Sequence, residues 1–448
     1  MYHSEMVSTQ ELPARERRIE ALQDAGYNVF NLSSSDVYVD LLTDSGTGTM
    51  STAQWAALLG GDESYAGSES FDRLVQAVED VLGFSQVVPA HQGRGAEHLL
   101  YGALVDEDDV VISNTHFDTT RAHVSEAGGE PVDCPAEGAW DLDSTEPFNG
   151  NLDIDAAREY AAEVGAERIP ALVVTITNNS VAGQPVAIEN IRRARELADD
   201  LDARLVVDAC RFAENAWFVK QRETEFQDAS LETIVKEQLS PADAIVVSGK
   251  KDGLVNIGGF VALSDHEREL FDRLKQRAIL YEGFFTYGGM AGRDMAAMAV
   301  GLQEAVEQTY LEHRTGQVQT LARMLDERGI PVYQPAGGHA VYVDAGGLLP
   351  DIPREQFPGQ VLVCAAYREG GVRAVELGSF AFPDTDRPEL VRLALPRRRY
   401  HDEHLEHVTD TFERVFERRK ELSGLRITEE PARKAIRHFS ATLEPVEK

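Results

Sequence analysis

The sequence predicts an α/β fold, a mainly parallel sheet flanked by helices, with a smaller α+β region after it. Two observations carry this. From about residue 70 to 300, short apolar runs alternate with amphipathic stretches, the order that a parallel sheet with crossover helices requires. Beyond that point the alternation gives way to a long helical stretch, isolated apolar runs and a final helix.

Taken in order, Phe71 to Leu82 repeats apolar residues at helical spacing and precedes the strand-like Gln86 to Pro89. Gly95 to Leu104 reads as a helix before the strand-like Asp109 to Ser113. Ala171 to Thr175 is a continuous apolar run, as expected of a strand covered on both faces, and Ala187 to Leu201 is the helix after it. Two further buried strands are read in Arg-Leu-Val-Val-Asp-Ala-Cys-Arg, which ends at Asp208 and Arg211, and in Ala-Ile-Val-Val-Ser-Gly-Lys-Lys-Asp, residues 244 to 252, with the lysine pair at its carboxyl end. Tyr281 to Met290, rich in glycine and aromatics, reads as a loop. A helix to Arg328 then leads to Val332, Tyr333 and the apolar Ala340 to Val343, and Leu390 to Leu395 precedes a helix through Lys420. The expected division is residues 1–44 as an arm and part of a small domain, 45–310 as a large cofactor-binding domain, and 311–448 as a C-terminal small domain.

Composition narrows the function classes. The 76 acidic residues against 43 basic ones give a net charge of −33, spread along the chain. Phosphate backbones need the opposite sign, so nucleic acid is not an expected partner. Of the 43 basic residues only 8 are lysine, and an acidic surface with arginine in place of lysine fits a salt-rich cytoplasm that screens self-repulsion. Cys134, Cys210 and Cys364 lie far apart with no CxxC spacing, which points to a reducing compartment and not to disulfides or zinc. The start, Met-Tyr-His-Ser-Glu-Met, lacks the regions of a signal peptide, and no apolar stretch reaches membrane-spanning length. A cytoplasmic protein is expected.

Scarce lysine makes the pair Lys250 and Lys251 conspicuous, placed as it is directly after a buried strand. Asp208 and Arg211 end another strand about 40 residues upstream. Sites in such sheets collect at the carboxyl ends of the strands. An amine at one end and a carboxylate at the next is what a pyridoxal phosphate enzyme needs: the lysine forms the Schiff base and the aspartate keeps the pyridine nitrogen protonated.

Other segments leave alternatives open. Pro89-Ala-His-Gln-Gly-Arg-Gly-Ala-Glu97 joins strand to helix through two glycines and offers an anion site near Arg94, or a plain packing turn. With Ser248 and Lys250 it gains further donors for one phosphate. Phe117 has the shape to stack on a flat ring or to fill a core, and Asp118 to accept a heteroaromatic N–H or to cap a helix. Asn178 and Asn179 end a strand at a turn, where an amide binds a cofactor hydroxyl or serves the turn itself. Arg392, within the apolar Leu-Val-Arg-Leu-Ala-Leu-Pro, suits a substrate carboxylate if it points inward. A tyrosine hydroxyl at Tyr65 fits a general acid, and Tyr287 a phosphate or subunit contact; both also fit ordinary packing. His438 either closes a cleft or lies at the surface, the commoner place for histidine.

Together these segments resemble the β-eliminating lyases, the pyridoxal phosphate family of tryptophanase and tyrosine phenol-lyase. The matching runs are DLLTDSGT, GDESYAGSESF, HQGRGAE, FDTTRAH, AGQPV, VVDACRFAENA, SGKKDGLVNIGGF, EGFFTYGGMAGRDMAAMAVGL, PAGGHAVYVDA, VRLALPRR and RHFSATL, nearly end to end. The resemblance implies a fold type I enzyme, a homotetramer with sites at subunit interfaces, and activation by potassium. It implies Lys251 as the Schiff-base lysine, Asp208 as the pyridinium partner, and Arg211 and Asn179 near the phenolic oxygen. Gln92, Gly93, Arg94, Ser248 and Lys250 resemble the phosphate cradle, with Phe117 on the ring. Arg392, helped by Thr43 and Asn179, resembles the clamp on the substrate carboxylate, and Tyr65 the proton donor to the leaving group. Gly46, Glu63 and Asn256 match the monovalent-cation positions, the first and last through backbone oxygens.

Within that family, phenol-lyases place a threonine where this chain has Asp118 and an arginine where it has Leu377. Tryptophanases carry an aspartate and an aliphatic residue there, and the His438-Phe439 ending matches them too. A carboxylate accepts the indole N–H, and an apolar Leu377 offers phenol nothing. SGKKDGLVNIGGF departs toward the phenol-lyase wording. The resemblance therefore implies β-elimination of L-tryptophan to indole, pyruvate and ammonia, with tyrosine phenol-lyase, then an aminotransferase on the same fold, as alternatives.

Overall fold

The structure, a computed structural model, describes residues 8–447 apart from 384 and 433; the N-terminal hexapeptide read above lies outside the described residues. The chain divides into two compact units. The larger comprises residues 45–139 and 144–315, the smaller residues 1–44, 140–143 and 316–448.

The larger unit is built on a seven-stranded sheet. Its strand order is Gln86–Ala90, Gly259–Leu263, Ala244–Ser248, Arg204–Asp208, Ala171–Thr175, Val110–Ser113, Glu130–Asp133. The pairs from Ala244–Ser248 to Glu130–Asp133 are parallel, and Gly259–Leu263 runs against both of its neighbours. The sequence alternation did not expose this antiparallel strand. It follows Ala244–Ser248 after a loop too short for a crossover helix, so it folds back, with Ser248 opposite Gly259. That same short loop carries Lys250 and Lys251.

Local signals place the helices around this sheet. The helix Glu69–Leu82 starts where the Ser68 side chain accepts the Phe71 N–H at 3.0 Å and stops at Gly83 in the left-handed region. Its buried face, including Leu74, Val78 and Val81, joins one core cluster with Leu172, Val174 and Val207 from the central strands. Gly93–Leu104 packs on the other face through Leu99, Leu100 and Tyr101 with Val206 and Val246. The strands are buried along their whole length, which is why they read as unbroken apolar runs. Boundaries moved by one to two residues at several ends, and Tyr281 proved to close the helix Arg268–Tyr281 instead of opening a loop.

In the smaller unit a three-stranded antiparallel sheet runs in the order Val375–Leu377, Leu390–Ala394, Ala340–Asp344. Val39–Asp40 pairs in parallel with Val372–Arg373, and Leu425–Glu429 with Thr442–Pro445 as an antiparallel pair. The helix Pro358–Gly370, with proline in its first turn, contributes Leu362, Val363 and Ala366 to a core that also takes Val391, Leu393 and Phe412. The helix Gln308–Asp326 carries the division between the units, at Thr315 and Gly316.

Candidate active site

In the larger unit Thr175, Asp208 and Val246 lie side by side in register, so two parallel strands end together and the third runs two residues further, to Ser248. The Ile176 N–H donates to the Asp208 carbonyl at 3.0 Å, and the Arg211 N–H to the Ile176 carbonyl at 3.2 Å. The loop after Ser248 is held by Asp252, whose Oδ2 accepts the N–H groups of Ala213 at 2.8 Å and Glu214 at 3.3 Å. Asp252 thereby satisfies the start of the helix Phe212–Arg222 and fixes its neighbour Lys251 to the turn that carries Arg211.

Lys251, Asp208, Arg211 and Asn179 are all buried. The Lys251 ammonium lies 5.1 Å from the centre of the Phe117 ring, over its face. The Asp208 Oδ1 accepts the Cys210 N–H at 3.1 Å. Asn178, in contrast, serves the turn: its N–H donates to the Gln184 carbonyl at 2.8 Å and its Oδ1 accepts the Thr115 hydroxyl at 2.5 Å.

The expected anion cradle is assembled around the start of the helix Gly93–Leu104. Gln92 bridges to Gly258, and Lys250 Nζ donates to Gln92 Oε1 at 3.4 Å. A Cβ on Gly93 would stand 2.7 Å from the Ser248 Cβ, so only glycine admits this approach. Burial, then the charges of Arg94 and Lys251, push the Lys250 ammonium down. A helix N-terminus, a hydroxyl and gathered cations fit a phosphate monoester, which would relieve that repulsion. With the amine over an aromatic face and a buried carboxylate on the next strand, the residues fit pyridoxal phosphate.

The candidate cation residues are brought together in part. A Cβ on Gly46 would lie 3.0 Å from the Asn256 carbonyl oxygen, and Asn256 Nδ2 donates to the carbonyls of Gly46 at 2.9 Å and Gly48 at 3.2 Å. Glu63 is exposed and pairs with Arg293 at 3.4 Å. Tyr65 is 73% exposed and joins Phe284 and Tyr287, at ring separations of 5.8 and 5.3 Å. Asp118 opens the helix Asp118–Glu126 at an exposed position.

The smaller unit collects the other candidates. Val375 is opposite Arg392 and Leu377 opposite Leu390 in the antiparallel pair. Residues two apart on a strand share a face, so Leu377 and Arg392 project from the same side of this sheet. Both are half-buried among buried neighbours. Arg392 Nη2 donates to the Leu42 carbonyl at 3.2 Å, next to Thr43. His438 is not the surface histidine expected by default: it is buried, its carbonyl accepts Asn28 Nδ2 at 3.1 Å, and its ring lies 6.0 Å from Phe30 and 3.9 Å from Phe439.

Sequence reasoning missed the groups that hold these residues. Glu97 accepts the hydroxyls of Thr119 and Thr120, tying the cradle helix to the helix that begins at Asp118. Burial and the Asp208 charge push its carboxyl from the usual 4.5 up to about 7. An acid one turn into a helix carries no signal in sequence that marks it as buried. Asp252 was equally hidden, although its place beside Lys251 is a helix-capping position once the adjacent strand is known.

A family profile described as Beta-eliminating lyase matches residues 40–411. The chain belongs to the β-eliminating lyases. Among these lyases it is 62% identical over 441 residues to a protein named probable tryptophanase from Halobacterium salinarum, covering 98% of each chain. It is 45% identical over 453 residues to tyrosine phenol-lyase from Symbiobacterium thermophilum, covering 99% of this chain and 98% of the other. A solved structure of Thermus thermophilus aspartate aminotransferase, a double mutant, covers 91% of this chain and is itself covered to 97%, with a TM-score of 0.61 at 18% identity. That likeness shows the shared fold, that of the fold type I pyridoxal phosphate enzymes. No helix among the described residues is long and apolar enough to cross a membrane.

Proposed function

We propose that the protein cleaves L-tryptophan by pyridoxal phosphate-dependent β-elimination, consuming water and releasing indole, pyruvate and ammonia. It is a carbon–carbon lyase. The observation that carries this reading is the place of Lys251, buried, over the Phe117 ring, and held by its neighbour Asp252 to the turn that follows Asp208. The 62% identity to a probable tryptophanase supports tryptophan over tyrosine, as does Leu377 beside Arg392, because an apolar side chain packs on indole and cannot grip a phenolate.

Pyridoxal phosphate, when bound, supplies the electron sink that makes the substrate α-carbon acidic. Gln92, Gly93, Arg94, Ser248 and Lys250 hold its phosphate, Phe117 covers the ring, and Asp208 keeps the ring nitrogen protonated. Arg211 and Asn179 bind the phenolic oxygen. Lys251 supplies the anchoring amine and takes the α-proton. Arg392, with Thr43 and Asn179, binds the substrate α-carboxylate. Asp118 accepts the indole N–H, Tyr65 delivers the proton to the leaving carbon, and Leu377 and His438 line the aromatic side. Potassium bound by the backbone oxygens of Gly46 and Asn256, with Glu63, completes the enzyme, which works as a cytoplasmic homotetramer at high salt.

Turnover in molar KCl with added pyridoxal phosphate tests this. L-tryptophan is expected to give indole and pyruvate in equal amounts, and L-tyrosine no phenol. Phenol release would move the assignment to the phenol-lyase, and amino transfer without pyruvate would replace elimination altogether.

A further inference from the structure

The strand Val375–Leu377 presents Leu377 on the face it shares with Arg392 and Glu376 on the opposite one. Glu376 is buried, and its carboxyl group gathers the backbone that follows the strand. Oε1 accepts the N–H of Gly378 at 2.7 Å and of Phe380 at 3.0 Å, and Oε2 that of Ala381 at 2.8 Å. The remaining N–H of the turn, Ser379, donates at 2.9 Å to Glu389, which also pairs with Arg354 at 3.0 Å. Four consecutive N–H groups thus converge on two buried acids. A Cβ on Gly378 would lie 2.5 Å from Glu389 Oε2 and 2.8 Å from Glu376 Oε1, so a side chain there would push the acids off the turn.

The carbonyls of the same turn are taken from elsewhere. Arg437 donates through Nε to the Phe380 carbonyl at 2.8 Å and through Nη2 to the Ser379 carbonyl at 2.6 Å. His438 is the next residue. One turn, held by three N–H bonds to Glu376 and one to Glu389, therefore joins the strand that ends in Leu377 to the segment that carries His438.

We propose that Glu376 is a positioning residue for substrate choice: through the Gly378–Ala381 turn it sets Leu377 and, through Arg437, His438. This rests on the proposed role of those two residues at the aromatic leaving group. Displacing a reacting geometry by about 1 Å costs on the order of 10²-fold in rate. A leaving group that does not fill the aromatic side escapes that cost. Burial and the Glu389 charge push the Glu376 carboxyl up to about 8, against the three N–H groups that favour its charged form, and glutamine keeps its length while turning one of the two accepting oxygens into a donor.

The test compares kcat/KM for L-tryptophan and S-methyl-L-cysteine in the full-length enzyme with cofactor, alongside hydrogen exchange of the 378–381 amides. Glu376→Ala is expected to lose amide protection and to lower kcat/KM for tryptophan at least ~10-fold more than for S-methyl-L-cysteine. Glu376→Gln, which keeps one accepting oxygen, is expected to fall between wild type and the alanine variant on both readouts. Arg437→Met, which leaves the buried acids intact, is expected to change the same ratio in the same direction if the alanine variant does not fold. Parallel losses on both substrates, or lost protection with an unchanged ratio, would overturn the proposal and leave Glu376 as a structural acid. A wild-type enzyme that releases no indole defeats the proposed function alone, because the exchange data and the ratio measured with the aromatic substrate it does use still decide the role of Glu376.

Discussion

Glu97 Oε1 accepts the hydroxyl of Thr120 at 2.5 Å, while its other oxygen takes that of Thr119, so a buried acid clips the cradle helix to the helix carrying Asp118. Burial and the nearby Asp208 push this carboxyl from 4.5 to about 7. The unfolded chain therefore gives up the proton above 4.5, while the folded chain keeps it until about 7. The stabilisation from this group is whole below the lower value and is lost as pH rises through the upper one. Urea unfolding of the apoprotein at fixed KCl is expected to show wild type losing about 2 kcal/mol more than Glu97→Gln between pH 5 and pH 8. Equal losses would mean that Glu97 is ionised in the fold.

Lys251→Ala is expected to bind the cofactor only reversibly. After borohydride reduction and denaturation, wild type retains the pyridoxyl group covalently and the variant does not, with turnover lower by at least ~10³-fold. Because Asp252 caps the neighbouring helix through its own side chain, the variant keeps its fold, and an unchanged thermal midpoint checks that.

How much of this was legible depends on whether a residue's task lies in its own segment. Lys251 and Asp208 were readable because both follow or end apolar runs, and the strand register sets Asp208 beside Val246, on the strand that leads into Lys251. Arg392 stood out as a basic residue in an apolar run and Leu377 was named only by resemblance; that they share a sheet face depends on an antiparallel register that no local pattern encodes. Glu97, Asp252 and Glu376 were invisible for a common reason. Each is an acid whose partners are backbone N–H groups or hydroxyls, and nothing in composition separates such an acid from the many solvated ones among the chain's 76 acidic residues.

Arg314 Nε lies 2.9 Å from Glu214 Oε1 with both side chains out of solvent, and Glu214 Oε2 lies 4.0 Å from Arg211. Truncating one member of a buried pair strands the other charge, so Arg314→Met is expected to cost ~3–5 kcal/mol in urea unfolding. Adding Glu214→Leu is expected to recover part of it, since the carboxylate stranded by the first change is removed while buried Arg211 loses its neighbour at 4.0 Å. If the double variant is as unstable as the single one, the pair contributes packing and not charge.

Leu377→Arg combined with Asp118→Thr removes the apolar contact and the N–H acceptor proposed for indole. Indole release is expected to fall at least ~10-fold, because a buried unpaired N–H and a desolvated guanidinium both oppose binding. Phenol release from L-tyrosine in the same variant measures whether the new arginine is aimed at the ring oxygen.

Salt is expected to act on this protein in two separable ways. The net charge of −33 repels itself through solvent, and raising ionic strength from 0.1 to 1 M shortens the screening length from about 10 to about 3 Å. Stability is therefore expected to climb steeply over that range with either KCl or NaCl, since screening does not distinguish them. A Cβ on Gly46 would lie 3.0 Å from the Asn256 carbonyl oxygen, and a monovalent ion held by backbone oxygens of both residues, as proposed, would be distinguished by size. At a fixed 2 M ionic strength, replacing K⁺ by Na⁺ is expected to lower kcat while leaving the thermal midpoint nearly unchanged. A midpoint that follows the identity of the ion would assign the cation to the fold, and a kcat indifferent to it would remove the cation from the catalytic apparatus.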